Sequence, residues 1–376
     1  MHRQLAVLVV AVGFVALVVA PLRAGVLGVP AKYTPDKPWP VMVSFQDNPD
    51  PALTVKTSYF LVHSGDKGMV ASKKFMAEMR SLAGKYNIDP MRIYGTGFSR
   101  GGQEVEEQAW CHPDWFAAIA PMCSDLRDKP DRPGKSLLPK WIMTPTLLMH
   151  GDGDSFIEDG KQVFELMKSA GCPVEFKTFP GGHAPGVPFK QDVKVLTDFF
   201  DKHTLEAYPK SVVHVVTHPE LARAFWVDAL VLKAAGAPPA KDAVAAPSGS
   251  KPASASAPAK ADAPTGEAAA PLVATYKVKV KEGNRIEVEA NDQVAELDLY
   301  LNDKLVDMAK PVTVTMGEKK LFEGAAASPV KVKIREGETA PHAPSKPLWE
   351  ELTEIKKGAK YPPVPPASKP AEAADK

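Results

Sequence analysis

The chain has 376 residues, with 46 Lys and Arg against 45 Asp and Glu, for a formal net charge of +1. That balance gives no electrostatic case for nucleic acid or a strongly acidic surface as partner. Hydrophobic residues at 44% and charged residues at 24% are ordinary for a soluble folded protein, and the length allows a sizeable core in two domains.

The N-terminus reads as an export signal. Met1-His2-Arg3 is a short basic end, the run from Leu5 to Ala20 is apolar apart from Gly13, and Ala24 offers a small residue for cleavage. An uncleaved membrane anchor is the competing reading, because the run approaches spanning length. Signal peptide 1–24 places the mature chain in a secreted or periplasmic compartment.

A proline-punctuated lead-in, Val29-Pro30-Ala31-Lys32-Tyr33-Thr34-Pro35, comes first. Short apolar runs then predict buried strands over 41–45 and 59–63. Phe75, Met79, Leu82 and Tyr86 fall at i, i+4, i+7 and i+11, one apolar face of a helix over 69–86. Asn87-Ile88-Asp89-Pro90 ends it. A strand over 91–94 leads through glycines into a helix over 103–110. Further strands are predicted over 116–122, 145–150 and 174–179, helices over 158–170 and 190–203, and a surface loop over 125–140. Short apolar strands alternating with amphipathic helices predict a parallel sheet covered on both faces. Its strand C-termini share one edge, where open α/β sheets hold ligands. This α/β domain is expected over 25–207.

From Tyr208 the pattern changes. The runs 212–217 and 225–232 read as a hairpin. The stretch 235–271 is almost wholly Ala, Pro, Ser, Lys and Gly, and is expected to be disordered. Alternating strands resume over 275–281, 285–290, 295–301, 312–316 and 330–335, predicting a small antiparallel β domain over 208–340. Closing a hairpin around Glu282-Gly283-Asn284 sets Val280 opposite Ile286 and Val278 opposite Val288. It also sets Lys279 opposite Glu287 and Lys277 opposite Glu289, so apolar pairs share one face and opposite charges the other. The tail 341–376 is Pro-rich and largely disordered in this reading, with one helical patch near 349–356.

Three cysteines, Cys111, Cys123 and Cys172, leave at least one thiol unpaired. In the predicted fold Cys111 ends a helix, Cys172 follows one, and Cys123 ends a strand on the other edge. Only Cys111–Cys172 is geometrically admissible as a pair, and all three are read as small buried residues. No Cys-x-x-Cys or His/Cys cluster points to a metal.

The chemistry centres on Ile93-Tyr94-Gly95-Thr96-Gly97-Phe98-Ser99-Arg100-Gly101-Gly102. It contains a Gly-x-Ser-x-Gly between a predicted strand and a predicted helix. A serine on that sharp turn is held in a strained conformation with its hydroxyl exposed above the sheet. The helix start adds backbone N–H groups and a positive dipole end, both suited to a developing oxyanion. A serine hydroxyl is a poor nucleophile unless a base takes its proton and a carboxylate orients that base. Ser99 is followed by a strand ending Leu148-Met149-His150-Gly151-Asp152-Gly153-Asp154, and the next strand by Pro180-Gly181-Gly182-His183. The candidate acids Asp152 and Asp154 and the candidate base His183 thus lie just past strand C-termini, in the Ser-acid-His order of elbow-type hydrolases.

With those motifs the chain resembles the α/β-hydrolases, and most of all the secreted esterases grouped with poly(3-hydroxybutyrate) depolymerases and feruloyl esterases. The matching pieces are 29–40, Gly97-Phe98-Ser99-Arg100-Gly101-Gly102, the run His112-Pro113-Asp114-Trp115-Phe116 and on to Pro121, His150-Gly151-x-x-Asp154 and Gly181-Gly182-His183. The resemblance covers roughly 29–203. It implies Ser99 as nucleophile, His183 as general base and then acid, and Asp154 as the orienting carboxylate, with Asp152 the alternative acid. It implies an ester substrate, small or polymeric, and no metal or organic cofactor. The segment 297–322 resembles a β module appended to some of these hydrolases, and a surface or polymer contact through it is an expectation.

One departure matters. Where that family has His-Gly after the strand at 41–45, this chain has Gln46-Asp47. The backbone N–H of Arg100 remains one oxyanion donor, and the second must come from near Gln46, with Asp47 close to the forming charge. Losing one such donor costs ~10²–10³ in turnover. Two alternatives therefore stand beside the esterase: a peptidase like the prolyl oligopeptidases, which use the same triad on amides, and a catalytically silent binding protein that kept the fold. His150, His63, Trp110 and Trp115 are read as structural residues, and Arg100 as a solvated helix-start side chain.

Overall fold

The computed structural model describes residues 25–45, 59–63, 68–126, 142–184, 193–232, 273–342 and 345–361. The expected signal peptide, the expected disordered insertion 235–271 and Gln46 lie outside the described residues.

The first sheet contains β1 (Gly25–Gly28), β2 (Trp39–Ser44), β3 (Phe60–His63), β4 (Ile88–Phe98), β5 (Ala118–Met122), β6 (Thr146–Gly151) and β7 (Val174–Phe179). Their order is β1-β3-β2-β4-β5-β6-β7. β1 runs antiparallel to β3, and every other pairing is parallel. Among the described residues before Tyr208, the helices that flank the sheet are α1 (Gly68–Lys85), α2 (Arg100–Cys111), α3 (Ile157–Ser169) and α4 (Lys194–Phe200). Along β2, Trp39, Val41 and Val43 pack on one side with Phe75, Met79 and Leu82 of α1. Met42 packs on the other, with Leu196, Phe199 and Phe200 of α4. Burial on both faces is why these strands read as unbroken apolar runs. This strand order, with a sharp turn from β4 into α2, is the α/β-hydrolase fold.

β1 was not foreseen. It is a four-residue strand containing two glycines, and it gains its place by pairing along the β3 edge. The last helix of this part is shorter than the expected 190–203.

The remaining strands form two packed sheets. One has the order β15-β14-β12-β11-β8, from β8 (Ser211–Val216), β11 (Ala274–Lys281), β12 (Arg285–Ala290), β14 (Pro311–Met316) and β15 (Lys319–Ala325). The other has the order β16-β13-β10-β9, from β9 (Arg223–Ala224), β10 (Val227–Val231), β13 (Val294–Leu299) and β16 (Val330–Lys333). Val212, Val278, Ile286 and Val314 from the first sheet meet Val227, Leu297, Leu299 and Val332 from the second around the buried Trp226. The foreseen pairing of β11 with β12 is present, with Val278 opposite Val288 and Lys279 opposite Glu287.

The predicted hairpin of 212–217 with 225–232 is wrong. β8 pairs with β11, whereas β10 pairs with β9 and β13 in the opposite sheet. The reason lies in β8, which is buried on both sides. Val212 and Val216 enter the sandwich core, and Val215 packs against Trp110, Leu148 and Cys172 of the first part. After a 3₁₀ turn at Pro219–Leu221 the chain crosses to the second sheet. The β region is also not wholly antiparallel. β12 and β14 run parallel, because the intervening β13 lies in the other sheet.

The tail expected to be largely disordered contains a docked helix, α5 (Leu348–Gly358). Leu348 and Leu352 are buried in the same cluster as the apolar face of α1. Lys356 Nζ donates to the Ile88 carbonyl, and Tyr361 Oη donates to the Ala83 carbonyl at 2.8 Å. The chain that forms the β sandwich thus returns to the first sheet.

Candidate active site

β4 ends at Phe98, and Ser99 takes φ 54° and ψ −114°, a strained conformation for a residue with a side chain. Its N–H is pinned to the Met122 carbonyl on β5 at 2.7 Å. The turn is tight enough that a Cβ on Gly97 would lie 2.3 Å from the Gly101 carbonyl oxygen. A Cβ on Gly102 would meet Ser124 at 2.9 Å. Gly97 of the Gly-x-Ser-x-Gly motif, and Gly102 just after it, are therefore requirements of close approach. Arg100 begins α2, so its N–H is among the helix-start donors with no intrahelical acceptor, and its side chain is exposed. Phe45, the last described residue after β2, donates its N–H to the Thr96 carbonyl beside the turn at 2.9 Å. Gln46 and Asp47, which follow it, lie outside the described residues.

His183 comes from the loop after β7. Its Nε2 lies 2.9 Å from Ser99 Oγ, and its Nδ1 lies 3.0 Å from Asp154 Oδ1. The imidazole is held between Phe98, with ring centroids 4.9 Å apart, and Phe156, edge-on at 5.1 Å. A carboxylate facing Nδ1 favours the tautomer with hydrogen there, which leaves Nε2 to accept from the serine hydroxyl.

Asp152, the other acid considered, does not face the imidazole. Its Oδ1 accepts the N–H of Gly181 at 2.8 Å, and Gly153 N–H donates to the Gly181 carbonyl at 2.9 Å. Asp152 therefore ties the loop after β6 to the loop that carries His183. Gly181 has φ +121°, which suits glycine at that bend.

Asp154 is buried and surrounded by donors. It accepts the Phe156 N–H at 3.0 Å and a bond from the Cys123 thiol, and His150 Nδ1 lies 3.3 Å from its Oδ2. Burial works to raise its pKa, but the bonds from Cys123, Phe156 and His183 outweigh it and hold the carboxyl below its usual range. Burial, reinforced by the Asp154 carboxylate, pushes the Cys123 thiol up to about 12. Burial also lowers His150, against the pull of Asp154. The sequence gives Cys123 a small buried packing role and His150 a structural one at a strand end. A signal was present, since both sit at the C-terminal ends of strands on the edge that carries Ser99.

Among the described residues, Cys123, Asp154 and His183 also form a group whose ligand-type atoms lie within 4.8 Å of one another. All three are already joined by hydrogen bonds in the row just described. Cys111, Cys123 and Cys172 are all buried.

The strand order and the serine turn define an α/β-hydrolase fold carrying a Ser-His-Asp row. No family model matches the chain. A curated relative named "Putative esterase NocK", from Nocardia uniformis subsp. tsuyamanensis, is 35% identical over 80 residues. The match covers 21% of this chain and 21% of that protein, so the chain spans about a fifth of the length of the curated relative it matches. Among solved structures, a thermostable esterase is similar at 18% identity and TM-score 0.37, over 47% of this chain and 58% of that one. An esterase from Thermogutta terrifontis is similar at 16% identity and TM-score 0.38, over 48% and 93%. An acylaminoacyl peptidase from Pyrococcus horikoshii is similar at 16% identity and TM-score 0.37, over 48% and 39%. The fold assignment rests on the strand order and the elbow, not on these likenesses.

Proposed function

We propose that the protein is an exported serine hydrolase that cleaves carboxylic esters through an acyl-enzyme intermediate. What carries this reading is the position of His183, within hydrogen-bond reach of Ser99 Oγ on one side (2.9 Å) and Asp154 Oδ1 on the other (3.0 Å).

In this mechanism Ser99 Oγ attacks the ester carbonyl while His183 Nε2 takes its proton. The Asp154 carboxylate stabilises the imidazolium that forms and keeps the ring oriented. The Arg100 N–H, with a second donor from the segment at Gln46, receives the negative charge of the tetrahedral intermediate. His183 returns the proton to the departing alcohol, leaving an acyl-Ser99. Water, deprotonated by the same imidazole, then releases the acid. Each step uses groups of the chain itself, with no cofactor. The apolar run before Ala24 supports export, and N-terminal sequencing of protein from the culture medium or periplasm tests it.

The decisive experiment is labelling of the mature protein with a fluorophosphonate probe. Labelling that disappears in Ser99→Ala supports a serine hydrolase, and failure of the wild type to label returns the reading to a silent hydrolase fold. A series of p-nitrophenyl acyl esters set against peptide amides then separates an esterase from a peptidase.

A further inference from the structure

We propose that Cys123 and His150 are positioning residues that clamp the Asp154 carboxylate from behind, leaving Oδ1 turned to His183. The proposal rests on reading Ser99, His183 and Asp154 as a catalytic triad, and it assigns work to two buried side chains which that mechanism does not use.

The first observation is the backbone of Cys123. It directly follows β5, and its N–H bonds the Met149 carbonyl on β6 at 2.7 Å. Its φ is 51°, in the left-handed region that glycine occupies without strain. Glycine here would relieve the backbone and remove the thiol. The thiol is the group that reaches Asp154, and burial keeps it protonated and able to donate. Strain retained by a side chain that touches the acid of the row points to a use for that side chain.

The second observation is the seat of His150. The ring is fully buried and stacks on Phe176 at 5.7 Å with 12° between planes. Its Nδ1 faces Asp154 Oδ2 at 3.3 Å. Its other nitrogen is pressed against α3, where a Cβ on Gly160 would come within 2.2 Å of Nε2. Among the described residues Nε2 has no hydrogen-bond partner. A hydrogen on Nε2 would be an orphan buried donor, whereas a bare lone pair there costs less. The ring is therefore neutral with its hydrogen on Nδ1, and it donates to the carboxylate. Asp154, His183 and Asp125 are the charged or titratable groups that face it.

Together these groups fix the plane of the carboxylate. The Phe156 N–H and His183 Nδ1 meet Oδ1, His150 meets Oδ2, and Cys123 closes the site from the neighbouring strand. A carboxylate held on all sides keeps the imidazole aligned with Ser99 without waiting for it to rotate.

The test uses full-length protein labelled with ¹⁵N at histidine, as wild type and as Cys123→Ala, Cys123→Ser, His150→Ala and His150→Asn. In the wild type, the nitrogen shifts of His150 should show a hydrogen on Nδ1 and a bare Nε2, and the His183 Nδ1 proton should appear at low field. That low-field proton should weaken or vanish in both alanine variants and return in Cys123→Ser and His150→Asn, which keep a donor. kcat on a p-nitrophenyl ester should fall about tenfold in the alanine variants, the loss expected for one charge-assisted hydrogen bond, and recover in the conservative ones. An Nε2–H tautomer at His150, or alanine variants with an unchanged His183 signal and unchanged kcat, overturns the proposal. So does loss in the serine and asparagine variants equal to that in alanine. The spectra read the clamp even if no ester is cleaved, so failure of the hydrolase reading, seen as a wild type that does not label, is separate from failure of this one.

Discussion

Arg80 and Glu351, on α1 and α5, meet in a two-pronged ion pair, with Nε to Oε1 at 2.6 Å and Nη2 to Oε2 at 3.0 Å. Both side chains are partly exposed, so the pair adds little by itself. The apolar contact beside it matters more, since Leu352 is fully buried against the α1 face. Leu352→Ala should therefore destabilise the protein by about 2–5 kcal/mol, and Glu351→Ala by less than about 1 kcal/mol. Urea melts of the two variants check this, and equal effects would show that α5 docks through charge instead of burial.

Gly97→Ala tests the elbow. The added Cβ would fall 2.3 Å from the Gly101 carbonyl oxygen, a backbone atom that cannot swing aside. The turn must then open, which moves Ser99 Oγ away from His183. Fluorophosphonate labelling should drop by at least about a hundredfold, as expected when a nucleophile is displaced by an ångström. Circular dichroism at 25 °C should stay close to wild type. Labelling at the wild-type rate would mean that the glycine is dispensable.

Asp152→Ala separates the two acids. Asp152 bonds the Gly181 N–H and leaves the imidazole to Asp154. Removing it loosens the loop that carries His183 but keeps the orienting carboxylate, so kcat on an ester should fall about tenfold, the scale of one lost hydrogen bond. Asp154→Ala should lose about 10⁴, the scale known for a triad acid. Steady-state kinetics of the pair decide it, and the reverse ranking would assign the orienting role to Asp152.

The inner strands of the first sheet, such as β2, β5 and β6, were legible because burial on both faces leaves continuous apolar runs, and the spacing of Phe75, Met79 and Leu82 marked α1. The Ser99, Asp154 and His183 positions were legible because each follows a strand end. What could not be read depends on contacts distant in sequence. The partner of β8 is set by which faces its valines bury, and nothing near 212–217 encodes that choice. β15, a largely exposed edge strand beginning with two lysines, carries no apolar alternation to see. The docking of α5 is equally hidden, since its apolar stripe fits a surface helix as well as a docked one. Cys123 looked like a packing residue because it sits in no motif, and His150 like a structural one because its motif, His150-Gly151-x-x-Asp154, drew attention to the acid and not to the ring.

His214 gives a pH prediction with a definite sign. It is buried beside Tyr276, with ring centroids 5.5 Å apart, and its Nε2–H donates to the Leu221 carbonyl at 2.6 Å. Burial lowers its pKa from 6.5 to about 4, against smaller opposing effects of the Leu221 carbonyl and Asp228. Above pH 6.5 the ring is neutral whether the chain is folded or not, and His214 adds no pH dependence. Below that value the unfolded chain takes up a proton that the folded one refuses, so stability falls as pH falls, until the folded ring titrates near 4. His214→Gln keeps an amide that can donate to the Leu221 carbonyl and removes the titration. Between pH 7 and pH 5 the wild type should lose about 2 kcal/mol more stability than this variant. The other groups titrate alike in the two proteins, so chemical denaturation at both pH values isolates His214. Equal losses would mean that the imidazole is charged or hydrated in the folded protein.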